Sequence, residues 1–215
     1  HNPLGLVFDQ SAWITLSEIL ADTDILVLSD EVYENMVFDD SEHISVLQIP
    51  ELAHRAVAVS SFGKTFHATG WKLGYITAPE HLTQEIRKVY QFLAFAANTP
   101  MQIAAAEFLT SYPNYEESVS VLMQGKRDLF VNALQSSRFR LMPCQGAYFQ
   151  IADYSDISDM PDQAFAVHLI ETIGVATIPV SAFYLNPPQE QRWLRFCFAK
   201  NDETLLKSAE LLCQL

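Results

Sequence analysis

Cysteine is scarce. Cys144, Cys197 and Cys213 are the only three in 215 residues, odd in number, far apart and without a CxxC pair. That disfavours a disulfide framework or a cysteine-rich metal site and fits a reducing compartment, the cytoplasm. Positive charge is scarce too. Lysine and arginine number 13 against 26 acidic residues, for a formal charge of −13 and no local basic patch. A field of that sign repels a phosphate backbone, so nucleic acid is not an expected partner, whereas a small anion feels only its local site. Long apolar runs are missing. The best, Phe92 to Leu109, is broken by Asn98, Thr99, Pro100 and Gln102, so no membrane span is expected. No stretch reads as a signal peptide, an internal repeat or a low-complexity segment. The first residue is His1, which points to processing or to a longer parent chain. His43, His54, His67, His81 and His168 show no metal-like spacing and read as solvated or structural; no metal is expected.

What is present is enough to fold. Hydrophobic residues make up 49% and charged residues 18%, a balance that buries a core. The length allows one large domain or two small ones. Ser11 to Ala21 has apolar residues at helical spacing. Ile25 to Leu28, Arg55 to Ser60 and Leu73 to Ala78 read as buried strands of a mainly parallel sheet. Helices are expected over His81–Ala96, Met101–Leu109 (opened by Pro100) and Tyr115–Leu134. Later come strands at Phe139–Met142, Ala147–Ala152, Val175–Pro179 and Trp193–Phe198. A helix over Asp162–Ile173 closes at Gly174, and a last one runs over Thr204–Leu212. The turn Tyr112-Pro113-Asn114 marks a boundary between an α/β part, 1–112, and a smaller α+β part, 113–215.

Two apolar runs end in reactive residues. One leads into Ser29-Asp30-Glu31-Val32-Tyr33, the other into Ser60-Ser61-Phe62-Gly63-Lys64-Thr65. Ligands of open α/β sheets sit beyond the carboxyl ends of strands, so Asp30 and Lys64 share a crevice if these strands are neighbours. Taken singly, a lysine is most often solvated and an aspartate after a strand is most often a cap. Arg195 sits between Leu194 and Phe196 in an apolar strand, where an unpaired charge would be costly.

Together these segments carry a resemblance. Ser60 to Gly74, SSFGKTFHATGWKLG, resembles the lysine region of the class I and II aminotransferases, pyridoxal-phosphate enzymes of fold type I. Ser29-Asp30-Glu31-Val32-Tyr33-Glu34 is similar to their aspartate–tyrosine motif. His1-Asn2-Pro3-Leu4-Gly5 resembles the end of their Asn-Pro-x-Asn-Pro-Thr-Gly motif, and Leu194 to Ala199 their arginine motif. Order and spacing agree over the whole chain, and the wording is most similar to the kynurenine/methionine aminotransferase branch. The resemblance implies an α/β fold: part of a large, mainly parallel-sheet cofactor-binding domain (1–112) plus the small α+β C-terminal domain (113–215).

It also implies roles. Lys64 forms a Schiff base with pyridoxal 5′-phosphate and shuttles a proton. Asp30 pairs with the pyridine nitrogen. Tyr33 and Asn2 bond the ring 3′ oxygen, and Ser61 and Lys72 hold the phosphate. Arg195, with Asn2, binds the substrate carboxylate through its fork. Implied partners are amino and 2-oxo acids and a second copy in a homodimer. The implied reaction is transamination from an L-amino acid, methionine or aromatic. The enzymatic alternative is a carbon–sulfur β-lyase; the non-enzymatic one is the sensor domain of a transcriptional regulator. Three departures stand out. Leu4 replaces a small hydroxyl residue, which bears on turn geometry. Lysine stands at 72 where many members have arginine. The family's N-terminal half, with the phosphate-binding amide loop and the ring-stacking aromatic, has no counterpart, so the chain is expected to be the C-terminal part of the enzyme. Gly146-Ala147-Tyr148-Phe149 resembles the family's strand leading to the active-site edge, with Tyr148 read as core.

Overall fold

The computed structural model describes residues 1–215, which divide into two compact units. One comprises Phe8–Val37 and Glu42–Val119; the other comprises His1–Val7, Phe38–Ser41 and Ser120–Leu215. The division falls at Val119/Ser120, inside a long helix, and not at the Pro113 turn. Residues 1–7 and 38–41 belong with the C-terminal unit through contacts between distant residues, which local composition does not signal. No helix is long and apolar enough to cross a membrane.

The first unit is built on a three-stranded sheet of order β1-β2-β3. Helix α1 (Gln10–Leu20) starts at Asp9, whose carboxylate accepts from the Ala12 N–H at 2.8 Å. Trp13 and Leu20 of α1 are buried with Val46, Ile49, Leu52, Ala56 and Ala58. The Trp13 indole N–H donates to the Ile44 carbonyl at 3.0 Å. Strand β1 (Val27–Asp30) and the short helix α2 (Pro50–Ala53) lead to β2 (Ala56–Ser61). Strand β2 runs parallel to β1 with Asp30 opposite Val59. The strand period sends Ala56 and Ala58 into the α1 core.

A single turn, α3 (Phe62–Thr65), then precedes β3 (Gly74–Thr77), which is antiparallel to β2 with Gly74 opposite Ser61. The connection from Ser61 to Gly74 is much shorter than the one from Asp30 to Ala56, and the chain returns antiparallel. The expected parallel pairing therefore holds for β1 and β2 but not for β3. Helices α4 (Glu80–Leu93) and α5 (Thr99–Ser111) follow, α5 capped by the Asn98 side chain on the Met101 N–H. Phe66, at the end of α3, packs on Phe108 of α5 at 5.0 Å between ring centres, and Phe108 meets Tyr115 at 4.8 Å. These rings brace the turn that bears Lys64. Helix α6 (Tyr115–Ala133) contains the division.

The C-terminal unit holds a four-stranded antiparallel sheet. In chain order it has β4 (Arg140–Leu141), β5 (Phe149–Asp153), α7 (Asp162–His168), β6 (Ile178–Pro179), β7 (Trp193–Cys197) and α8 (Asp202–Leu212), with sheet order β4-β5-β7-β6. Helix α7 widens into a π-turn over Leu169–Ile173 and stops at Gly174, φ +80°, as the sequence predicts. Phe196 meets Phe130 and Phe139 edge-on at 5.8 and 5.7 Å. Arg127, its side chain only 11% exposed, fastens residues 38–41. It makes a fork to both oxygens of Asp39 at 2.6 and 2.9 Å, bonds the Cys144 carbonyl and lies over the Phe38 ring.

Candidate active site

Because β1 and β2 are parallel neighbours, their carboxyl ends open on one edge of the sheet. Asp30 ends β1 with an exposed carboxylate, which accepts from the Val32 N–H at 3.3 Å. Tyr33 lies in the turn that follows, where the Met36 N–H donates back to the Tyr33 carbonyl at 2.8 Å. Ser61 ends β2 and Lys64 rides on α3; its Nζ stands 5.6 Å from the centre of the Tyr33 ring. Strand β3 begins opposite Ser61, so Lys72, two residues before Gly74, lies at the same end. Lys72 is exposed and left-handed, with φ +52°. At Gly74 a Cβ would come within 2.5 Å of the Ser60 carbonyl oxygen, so only glycine lets β3 approach so closely. This unit thus gathers an amine, a carboxylate, a phenol, a hydroxyl and an ammonium at one sheet end.

Beside them, Glu31 is buried. One of its oxygens accepts from the Val46 N–H at 2.9 Å and the other meets His43 Nε2 at 3.1 Å. Burial works to raise its pKa, but His43 and the Val46 N–H prevail and hold it below the usual glutamate value. Glu34 accepts from the Tyr75 hydroxyl at 2.9 Å. Glu31, Glu34 and His43 bring ligand atoms within 4.8 Å of one another and line a cavity of about 310 Å³. Both carboxylates are engaged in hydrogen bonds, and Glu31 ties the turn after Asp30 to Val46 and His43. The partner of His43, twelve residues back, carries no sequence signal.

The second group lies in the C-terminal unit. The Gly5 N–H bonds the His1 carbonyl at 2.7 Å, and the Gly5 carbonyl accepts from Gln145 and Gly146 at 2.7 and 3.0 Å. Gly5 has φ +67°, so the turn closes despite Leu4. It sets Asn2, preceding a cis Pro3, against β7. Arg195, mid-strand in β7, pairs with Ile151 on one side and Ile178 on the other. Its Nη1 donates to Asn2 Oδ1 at 2.5 Å. Its guanidinium carbon lies 4.0 Å over the Phe149 ring and 5.1 Å over the Phe183 ring. Phe183 was not legible as a site residue: the Phe183-Tyr184 pair after Pro179 carries no motif.

With these groups in place, comparison with known proteins is informative. The family model of the aminotransferases of class I and II matches residues 1–212. The chain belongs to this family. Among curated aminotransferases, the methionine aminotransferase of Escherichia coli is 46% identical over 215 residues, all of this chain and 55% of that protein. Human kynurenine–oxoglutarate transaminase 1 is 35% identical over 99% of this chain and 55% of its own length. The solved structure of an E. coli methionine aminotransferase superposes with a TM-score of 0.97, covering 100% of this chain and 56% of that one. N-succinyldiaminopimelate aminotransferase from Mycobacterium tuberculosis gives a TM-score of 0.94 at 31% identity, with the same coverage. The fold is therefore that of the fold type I aminotransferases. The chain spans about half the length of the curated relatives it matches.

Proposed function

We propose that this chain carries the lysine and arginine centres of a pyridoxal 5′-phosphate-dependent aminotransferase, which moves an amino group from an L-amino acid, methionine or aromatic, to a 2-oxo acid. One observation carries the reading: Lys64, Asp30, Tyr33 and Ser61 converge at the carboxyl end of two parallel strands. The donor set fits the cofactor. A carboxylate suits a cationic ring nitrogen, a phenol a ring oxygen, a primary amine an aldehyde, and a hydroxyl with an ammonium a phosphate. When bound, pyridoxal phosphate supplies that aldehyde and a ring that draws electrons from the substrate Cα.

The chain's residues do the rest. The Lys64 amine would hold the cofactor aldehyde and would carry a proton away from the substrate Cα. Asp30 would keep the ring nitrogen protonated. Tyr33 would donate to the 3′ oxygen, as would Asn2 by family resemblance. Ser61 would donate to the phosphate, and Lys72 would offer a point charge instead of a fork. Arg195 takes the carboxylate of amino and oxo acid alike, oriented by Asn2. The names of the relatives support methionine and kynurenine as donors. Amino exchange between these donors and 2-oxo acids tests the reading. Pyruvate release from cystathionine without an oxo acid would instead identify a β-lyase, and binding without turnover a sensor.

The same reading makes the enzyme a homodimer. In support, α4 buries none of its side chains and exposes Val89, Phe92 and Leu93, with Phe95 just beyond. Sedimentation of the whole protein as a monomer would refute it. Three free thiols support a cytoplasmic setting.

A further inference from the structure

We infer that Phe183 is a positioning residue for the substrate carboxylate, acting through Arg195; the inference rests on the carboxylate-binding role proposed for that arginine. A guanidinium grips a carboxylate with two parallel bonds only if its plane is held at the right tilt. The Asn2 Oδ1 bond fixes one nitrogen. Two aromatic faces bear on the tilt of the plane. Phe149 is 4% exposed and reaches the guanidinium from inside the sheet, at 4.0 Å. Phe183 reaches it at 5.1 Å from a surface turn and is 42% exposed.

An aromatic ring so exposed contributes little to the core, yet its turn is carefully held. The buried carboxylate of Asp162 accepts from the Ser181 N–H at 2.7 Å. Val180 is fully buried beside it, and the Tyr184 N–H closes back on the Ser181 carbonyl at 3.1 Å. Thr177 also bonds the Arg195 carbonyl at 3.0 Å. The ring face attracts the cation and replaces part of its hydration, so the fork meets a carboxylate already aligned and partly desolvated.

The test uses the intact holoenzyme with Phe183→Leu, which keeps apolar bulk and removes the ring face, and Phe183→Tyr, which keeps both. Phe183→Leu is expected to raise KM for amino donor and oxo acceptor together by about 3- to 30-fold, the span of one cation–π contact. Turnover should stay within about twofold, because the contact serves substrate and transition state alike. Phe183→Tyr should restore both KM values. An unchanged KM in the leucine variant, a fall in kcat alone, or failure of tyrosine to restore binding overturns the inference. Arg195→Lys runs in parallel. If it is impaired while Phe183→Leu is normal, only the Phe183 role fails. If Arg195→Lys leaves both KM values untouched, the carboxylate binds elsewhere and both readings fall.

Discussion

Arg195 Nη1 donates to Asn2 Oδ1 at 2.5 Å across 193 residues of sequence. The bond is possible because the turn ending at Gly5 hangs on the Gln145 and Gly146 amides beside β5. A charge-assisted bond of this kind contributes about 1.5–3 kcal/mol. Asn2→Ala should therefore weaken amino-acid and oxo-acid binding by roughly tenfold or more. Arg195→Lys, which keeps charge but loses the fork, should weaken it further without altering the absorbance of bound cofactor. Steady-state KM values for both substrates are the measurement. Values that barely move would place the carboxylate elsewhere.

Lys64 is expected to be the cofactor lysine. It is the amine that α3 sets beside the Tyr33 ring, at the sheet end shared by Asp30 and Ser61. Borohydride reduction of the whole protein with pyridoxal phosphate, followed by peptide mapping, should find the label on the peptide spanning Ser60–Lys72. A label on Lys88 or Lys126 would sink the assignment.

Asp30→Asn should retain cofactor but lose turnover by orders of magnitude. The amide keeps the size of Asp30 and its bond to the Val32 N–H, while the charge that sustains a protonated ring nitrogen is gone. A loss of several kcal/mol acts at about 1.4 kcal/mol per tenfold in rate. Single-turnover kinetics on the loaded variant measure it; near-normal rates would remove Asp30 from the mechanism.

The lysine group was legible because its chemistry sits at strand ends. An apolar run followed by Ser-Asp or by Ser-x-Gly-Lys shows both the element and the side chain it delivers, and the parallel β1–β2 pairing then brings Asp30 and Lys64 to one edge. The direction of β3 was not legible, because a four-residue apolar strand reads the same both ways; the short connection through α3 decides it. Nor did the sequence show that residues 1–7 and 38–41 belong with the C-terminal unit. Gly5 meeting Gln145, and Asp39 meeting Arg127, are pairings of distant residues without local pattern. The aromatic faces on Arg195 escaped for the same reason, since Phe149 and Phe183 lie far from Arg195 in sequence and share no local pattern with it.

The Glu31–His43–Val46 fastening makes stability depend on acid. The folded-state pKa of Glu31 lies below its ordinary 4.5. The carboxylate therefore contributes stability that is complete above that value and is lost as pH falls through the lower, folded one. Glu31→Gln should destabilise the protein at neutral pH by about 1–3 kcal/mol, since a buried charged acceptor is replaced by an amide. The stability difference between wild type and variant should shrink as pH is lowered from 4.5. Urea unfolding at stepped pH measures this; a difference constant from neutral pH down to pH 3 would rule out the linkage.

The 215-residue chain expressed alone should be a poor catalyst, a weak cofactor binder and prone to aggregate. Its three-stranded sheet leaves β1 and β3 as edges. Leu26 and Leu28 on or beside β1 are 58% and 73% exposed, and every residue of β3 is exposed, Tyr75 and Ile76 among them. Unpaired apolar strands of this kind recruit other chains unless something covers them. The relatives carry nearly half their length beyond what this chain matches. Family resemblance assigns to that part the amides that bind the phosphate and the aromatic that stacks on the ring, so affinity for the cofactor should fall with it. The comparison is direct: residues 1–215 and the whole gene product are expressed side by side, and solubility, cofactor titration and transamination are measured on both. A soluble short chain with the activity of the whole protein would show that β1 and β3 need no further cover, and that Lys64 works without partners from the rest of the enzyme.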